Sequence, residues 1–149
     1  MYEALRNTRK GGKTVSKHSL CEVFVKRLLP ALRALLAKEL IEGHGLTQLE
    51  VSRILGVSQP LINYYLTGRR KVPYANALSR CPKVVSVVKS VARMLVTEGI
   101  KGKGEVNVAC LLCTALRASE ALKEALRACG VREDEVVYPV CGELNAVSA

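Results

Sequence analysis

The chain has 149 residues, of which 49% are hydrophobic, and carries a formal net charge of +10 at pH 7. This length allows one domain or two small ones with a hydrophobic core, and the apolar content excludes a wholly disordered chain. No apolar segment approaches the ~18 residues that suggest a membrane span, and the first twenty residues lack the apolar stretch of a signal peptide. We therefore expect a cytoplasmic protein that makes no membrane contact.

The positive charge is concentrated in the first part of the chain. Residues 1–81 contain fourteen Lys or Arg against five Asp or Glu, a net +9, whereas residues 82–149 contain nine against eight, a net +1. A basic surface attracts a polyanion such as DNA. The alternative is a generally basic protein, but the asymmetry argues against it.

The composition predicts an all-α fold, because β-branched residues are scattered among long Leu, Ala, Lys and Glu stretches. Residues 1–19 form a predicted flexible basic arm, in which Gly11-Gly12 interrupts a series of cations. Arms of this kind contact phosphates or a minor groove in some DNA-binding proteins and are plain disordered segments in others. The cations of the arm are Arg6, Arg9, Lys10, Lys13 and Lys17.

A DNA-binding domain is predicted over residues 20–81, and its first part is helical. Apolar residues recur at spacings of three and four from Leu20 to Glu42. Pro30 cannot lie deep inside one straight helix, so it either kinks the helix or begins a second one. We favour a short helix followed by a second helix from Pro30 that Gly43 ends.

Residues 46–71 have the pattern of a helix-turn-helix. Thr47 and Glu50 form a capping box, which predicts a helix from Gln48. Gly56 is expected to end this helix, because glycine adopts the left-handed conformation without a steric penalty. Ser58 is expected to cap a second helix, which stops at residues 67–68. Two helices of about eight residues joined by such a turn form a helix-turn-helix.

The spacing within this segment resembles the lambda-repressor/Cro (XRE-type) class. Counted from Gln48, the small residue Ser52 stands at position five, where alanine is commoner, and Gly56 stands at position nine. Gln48 and Gln59 match two glutamine positions of the class. The resemblance implies that Ser58–Leu66 is a recognition helix in the DNA major groove; a helical hairpin inside an enzyme core is the alternative. The apolar positions of the pattern are Val51, Leu55, Val57 and Ile62.

Three side chains of the second helix are expected to face the groove: Gln59, Asn63 and Tyr64. Glutamine and asparagine each pair bidentately with adenine, and a good pair contributes ~1–3 kcal/mol of discrimination. The alternative for Gln59 is a solvated residue at a helix start, and for Asn63 the two interpretations are evenly balanced. The register assigns three neighbours to the core: Ile62, Tyr65 and Leu66.

Phosphate contacts are expected around the second helix. Ser58 and Gln48 stand where a phosphate can meet them, and Arg69, Arg70 and Lys71 follow the recognition helix directly. A run of charge is often only solvated, but three cations beside a reading helix favour a phosphate contact. Residues 73–82 (PYANALSRCP) are expected to be a connector.

The run from Cys21 to about Lys71, a third of the chain, resembles a family of small archaeal proteins predicted to regulate transcription. A similar Cys-Glu…Leu-Pro-Ala…Arg-Ala…Ala-Lys-Glu-Leu segment precedes their helix-turn-helix, and here it reads CEVFVKRLLPALRALLAKEL. The resemblance implies a DNA-binding transcription factor and says little about its signal. Regulators of this class usually bind as dimers to two half-sites.

Residues 82–149 are expected to form a helical C-terminal domain for dimerisation and for metal or redox sensing. Lys83–Val96 carries an apolar face at helical spacing, and residues 99–104 (GIKGKG) read as a loop. One or two helices follow, up to Cys129, with a restart near Ser119. The apolar helices after residue 82 are the expected place for a symmetric dimer interface.

Four cysteines form a C-x2-C-x15-C-x11-C series: Cys110, Cys113, Cys129 and Cys141. Four thiolates can hold zinc or an iron–sulfur cluster, and Cys110 and Cys113 share a face if they lie on one helix. A single C-x2-C is common by chance and its neighbours are apolar, so buried thiols are an equal alternative and a redox disulfide is a third.

The patterns favour a dimeric, sequence-specific regulator that binds double-stranded DNA. An antitoxin or a phage-like repressor, whose C-terminal half binds a partner protein, is the alternative. We do not expect an enzyme, because the sequence has no phosphate-binding loop, no Ser/His/Asp set and no βαβ pattern around the C-x2-C pair.

Overall fold

Helices make up most of the chain in the computed structural model, which describes residues 18–69, 71–99 and 107–137. The predicted helical fold class is therefore confirmed. None of the helices in these ranges is long and apolar enough to cross a membrane. The elements are β1 (His18–Ser19), α1 (Leu20–Val23), α2 (Leu29–Glu42), α3 (Gln48–Leu55), α4 (Gln59–Thr67), α5 (Ala75–Ser79), α6 (Pro82–Met94), α7 (Val108–Ala118), α8 (Ala121–Ala128) and β2 (Val136–Val137).

A π-helical turn, Phe24–Leu28, connects α1 to α2 without a break. The N–H of Leu29 donates to the carbonyl of Phe24, five residues back, and Pro30 lies in the first turn of α2. Proline cannot donate to the helix ladder and its ring crowds the carbonyl four residues before it, and a wider turn relieves both problems. The expected start of a helix at Pro30 is thus right to within one residue, but the chain stays helical before it.

Helix α2 is the centre of the molecule and packs against α3, α4, α5 and α6. Helix α6 packs on α2, α7 and α8, so residues before and after position 82 join one hydrophobic cluster. The predicted domain boundary at residue 82 stays a prediction. Each large apolar side chain fully buried here contributes ~1.5–3 kcal/mol relative to an exposed one. The buried residues of α2 are Leu29, Ala31, Leu32, Leu36, Ala37 and Leu40, and those of α6 are Val84, Val87, Val88, Val91 and Ala92.

The sequence prediction does not include two features of the fold, a helix within the connector and the pairing of two strands. The expected connector at residues 73–82 contains a short helix, α5, whose Leu78 is fully buried. The strands β1 and β2 pair in parallel, with His18 opposite Val136 and Ser19 opposite Val137. A helix of five residues gives too short an apolar pattern to recognise, and a strand pair between distant segments has no local signal.

The C-terminal helices follow the prediction closely. Helix α6 spans Pro82–Met94, and a π-helical turn, Leu95–Gly99, follows it. The expected restart is present, because α7 ends at Ala118 and α8 begins at Ala121. Except for His18 and Ser19, the predicted basic arm lies outside the described residues, as do residues 100–104 of the predicted loop.

Candidate nucleic-acid interface

The capping box predicted at the start of α3 is confirmed. The backbone N–H of Thr47 donates to Oε2 of Glu50 at 2.8 Å, and the backbone N–H of Glu50 donates to Oγ1 of Thr47 at 3.2 Å. The backbone N–H of Thr47 and, at 3.1 Å, its hydroxyl both donate to the Glu50 carboxylate, so the pKa of Glu50 lies below its ordinary value. The reciprocal bonds fix the first turn of α3 and thereby the position of Gln48.

The turn between α3 and α4 depends on Gly56, which has φ 65° and ψ 32° in the left-handed region. The N–H groups of Gly56 and Val57 both donate to the carbonyl of Ser52, which closes the helix end. Ser52 is only 7% exposed, and its hydroxyl donates to the carbonyl of Leu49 at 2.8 Å. Serine therefore suits the buried position where alanine is commoner, because its one polar group is satisfied.

The prediction for Ser58 needs a correction. Its backbone caps α4, with φ −70° and ψ 148°, and its carbonyl accepts the N–H groups of Leu61 and Ile62. Its hydroxyl, however, makes no capping hydrogen bond. The side chain is exposed, and its hydroxyl is available to a ligand.

The inward face of α4 is the one that the register predicts. Ile62 is fully buried, and Tyr65 and Leu66 are half-buried against the core. The opposite face, which a helical period of 3.6 places on one side, is formed by Gln59, Pro60, Asn63, Tyr64 and Thr67. Gln59 is exposed there, and Tyr64 is 40% exposed.

Two residues of the outward face are absent from the sequence prediction, Pro60 and Thr67, although both are exposed. The same 3.6-residue period that selects Gln59, Asn63 and Tyr64 also selects them, so the signal is present in the sequence. The hydroxyl of Thr67 donates to the carbonyl of Asn63 at 2.9 Å and is thus used within α4.

A hydrogen bond between two predicted site residues links α4 to α3. Nδ2 of Asn63 lies 3.5 Å from Oε1 of Gln48, at the long limit for such a bond, and both residues are half-buried. The bond engages the amide of Asn63, which the sequence places in the groove. Gln59 therefore has the exposed amide on this face of α4, one turn before Asn63.

The cations after α4 are exposed where the structure describes them. Arg69 and Lys71 follow the left-handed Gly68, which ends the helix at φ 68°. Neither forms an ion pair with another residue in the described ranges. Arg70, the third predicted cation, lies outside the described residues. The predicted DNA-binding residues that the structure describes thus place polar and cationic groups on and beside α4.

Three cysteines of the predicted series lie in the described residues. Cys110 is exposed and Cys113 is half-buried on α7, while Cys129 caps the C-terminus of α8 in the core. In the part of the chain that the structure describes, no three His, Cys, Asp or Glu residues form a group able to hold a metal. Cys141 lies outside that part.

Cys129, the third cysteine of the series, has a buried thiol. Its side chain is 1% exposed, and burial raises the pKa of its thiol to about 11. This environment favours the protonated thiol over the thiolate. The burial of Cys129 results from tertiary packing. The spacing of the cysteines in the sequence does not show which side of α8 faces the core.

Comparison with known proteins gives no match among family models, curated proteins or solved structures. A functional assignment for the chain therefore depends on its own residues and on their geometry.

Proposed function

We propose that the chain is a sequence-specific regulator of transcription that binds double-stranded DNA through α4. The observation that supports the proposal is the outward polar face of α4. The hydrogen-bonded turn after α3 fixes the position of this helix. An α-helix fits the B-DNA major groove, and side chains in its first turns reach base edges. Gln59 is at the first position of α4 and is exposed, as a base-reading residue must be.

The structure gives reasons to divide the roles among the site residues. Gln59 is the proposed adenine-reading residue, with Tyr64 beside it, because both are exposed on the outward face. Asn63 instead positions α4 on α3 through Gln48. This leaves the amide nitrogen of Gln48 available to a phosphate oxygen. Further phosphate contacts are proposed for Ser58, Arg69, Arg70 and Lys71.

Charge supports the same partner. Residues 1–81 carry a net charge of +9. This charge attracts the DNA phosphates independently of the base sequence. Such attraction gives affinity without selectivity, so it complements the base contacts of α4 rather than replacing them. The proposal therefore predicts both a steep dependence of affinity on salt and a preference for one sequence.

We further propose that the regulator acts as a dimer, since nine residues of α4 read only a few base pairs. The sequence predicts the dimer interface on the apolar faces of the helices after residue 82. In the structure, α6, α7 and α8 bury these faces within the chain. A symmetric contact then has to use other surfaces. The large apolar side chains that the described residues expose are Val25, Leu49, Tyr64, Tyr74, Met94 and Val137.

The proposal is tested with the substitution Gln59→Ala. A preferred duplex is first selected from a random pool with the wild-type protein, and affinities for it and for a scrambled duplex are then measured by fluorescence anisotropy. We expect Gln59→Ala to lose ~1–3 kcal/mol of the preference, about 5- to 150-fold, and to bind scrambled DNA nearly as well as wild type.

Asn76→Ala is the matched control, since it removes an exposed amide from α5. It should keep the wild-type preference. A Gln59→Ala protein with unchanged preference would show that another residue reads the base. A wild-type protein that binds no duplex would overturn the proposed function itself.

A further inference from the structure

The outward side of α6 forms a second basic surface. Its residues come later in the sequence than the predicted recognition helix. Together with the end of α5 it lines a shallow groove of about 650 Å³. We call this the α6 groove. The polar residues that line it are Ser79, Arg80, Ser86, Lys89, Ser90 and Arg93.

The α6 groove carries positive charge without compensation. Arg80, Lys89 and Arg93 form no ion pair with any other described residue, and the described residues that line the groove include no carboxylate. Helix α6 itself contains no Asp or Glu. Lys89 also borders a neighbouring groove, which Glu39 and Glu42 of α2 line, but neither carboxylate reaches it within 4.0 Å.

Two of these cations stand where they repel each other. Lys89 and Arg93 are four residues apart on one helix, and like charges at this spacing destabilise a helix by a few tenths of a kcal/mol, roughly 0.2–0.5. An anionic partner that contacts both removes this cost.

Hydroxyl groups complete the donor set. Ser86 and Ser90 are both exposed, and neither hydroxyl makes a hydrogen bond with another described residue. Serine hydroxyls and Lys or Arg side chains are the groups that commonly contact DNA phosphates. The donors on α6 extend from Ser86 to Arg93, a rise of roughly 10 Å at 1.5 Å per residue. That length matches several nucleotides of one strand at ~3.4 Å each, so the donors can follow a phosphate backbone.

A second basic pocket, near α8, has a different character. It has a volume of about 370 Å³, and its cations are mixed with carboxylates. Glu124 lies 3.7 Å from Lys83 across this pocket, and Glu120 lines it as well. Its cations are Lys83, Arg117, Lys123 and Arg127. Because two carboxylates offset part of the charge of the four cations in this pocket, it provides a control for the α6 groove, which no described carboxylate lines.

We propose that the α6 groove is a second contact surface for the phosphate backbone of duplex DNA, outside the base pairs that α4 reads. The inference rests on the proposed function, which it extends by lengthening the bound duplex. The groove is shallow and lined by flexible cations and hydroxyls, which suits a continuous backbone of phosphates. It adds affinity and salt dependence, and it carries no sequence preference.

The test compares two triple variants that remove the same charge. One is Arg80→Gln, Lys89→Gln and Arg93→Gln in the α6 groove, and the control is Arg117→Gln, Lys123→Gln and Arg127→Gln in the pocket near α8. Affinity for the selected duplex and for a scrambled duplex, both of about 30 base pairs, is measured over a range of salt concentrations. Thermal melting of each variant verifies that it is folded.

We expect the slope of log affinity against log salt to become shallower by about 2–3 for the α6 variant on both duplexes, because each neutralised phosphate contributes ~0.9 to the slope. The ratio of the two affinities should stay at the wild-type value, and the control should keep most of the slope. Equal slopes for the two variants would overturn the α6 proposal while leaving the proposed function intact, and would redirect the search to an acidic protein partner. Wild type that binds no duplex would overturn both.

Discussion

The chain contains two helix pairs with similar backbones, α3–α4 and α7–α8. In each pair, helices of eight to eleven residues meet at a short turn with one residue in the left-handed region. That residue is Gly56 in the first pair, at φ 65°, and Glu120 in the second, at φ 60°. Both pairs also bury an apolar face in the same hydrophobic cluster.

The surfaces of the two pairs differ. Beside α4, Arg69 and Lys71 form no ion pairs within the described ranges, whereas Arg127 of α8 lies 3.6 Å from Glu133 and Lys83 of α6 lies 3.7 Å from Glu124 of α8. The comparison indicates that two helices and a turn do not suffice to assign a DNA-binding role. An exposed amide at the start of the second helix, with two cations soon after its end that are unpaired among the described residues, distinguishes α3–α4 from α7–α8.

The largest effect should come from the core that both pairs share. Leu36 of α2 is fully buried, so Leu36→Ala should lower the free energy of unfolding by about 2–5 kcal/mol, because apolar burial is reduced and a cavity remains. Chemical denaturation followed by circular dichroism measures this change. Leu49→Ala is the control: this leucine is 45% exposed, and its truncation should cost far less.

The same experiment tests how tightly the two helix pairs are coupled. A single transition for Leu36→Ala and wild type would fit one cooperative unit. Two separate transitions would instead favour the domain boundary that the sequence predicts at residue 82.

The cysteines should react at different rates. Cys129 is buried and its thiol pKa is raised to about 11, so alkylation in the folded protein should be at least about a hundredfold slower than at exposed Cys110. Mass spectrometry after timed treatment with iodoacetamide measures both rates, and the reaction at exposed Cys21 on α1 serves as the reference.

Metal analysis of the same preparation, purified without oxygen, completes this test. Stoichiometric zinc or iron together with protection of Cys110 would contradict the arrangement of the described cysteines and restore the predicted metal site. Equal rates at Cys129 and Cys110 would contradict the burial of Cys129.

A smaller effect should come from exchanging the residue types at the two turns. Gly56→Ala should destabilise the protein by about 1–2 kcal/mol, because a Cβ is unfavourable in the left-handed region although nothing lies within 4 Å of it. Glu120→Gly should instead stabilise the protein by less than about 1 kcal/mol, as it removes that strain. Thermal melting of both variants gives the direction of each change in stability. Changes in the same direction would mean that backbone strain does not control the stability at these two turns.

The sequence predicts α3 and α4 well because their ends depend on neighbouring residues. The capping box of Thr47 and Glu50 and the left-handed glycines at 56 and 68 are local signals, and the structure has all of them. The inward position of Ile62 follows from the helical period alone. For these elements, local chemistry and tertiary packing favour the same conformation.

Other features depend on packing that the sequence does not reveal. Asn63 bonds to Gln48, fifteen residues away, only because α4 lies across the start of α3. Cys129 faces the core because of how α8 packs on α6, and not because of its spacing from Cys113. The pairing of β1 with β2 joins distant segments in the same way.

Recognition of DNA by α4 is tested by a selection of duplexes from a random pool with the wild-type protein, followed by sequencing of the enriched duplexes. We expect an enriched motif of two related half-sites, centred about 34–36 Å apart along the duplex, and weaker binding as salt increases. Enrichment of a single half-site would retain the reading role of α4 and contradict the dimer. No enrichment at any salt concentration would contradict the proposal that α4 reads DNA sequence.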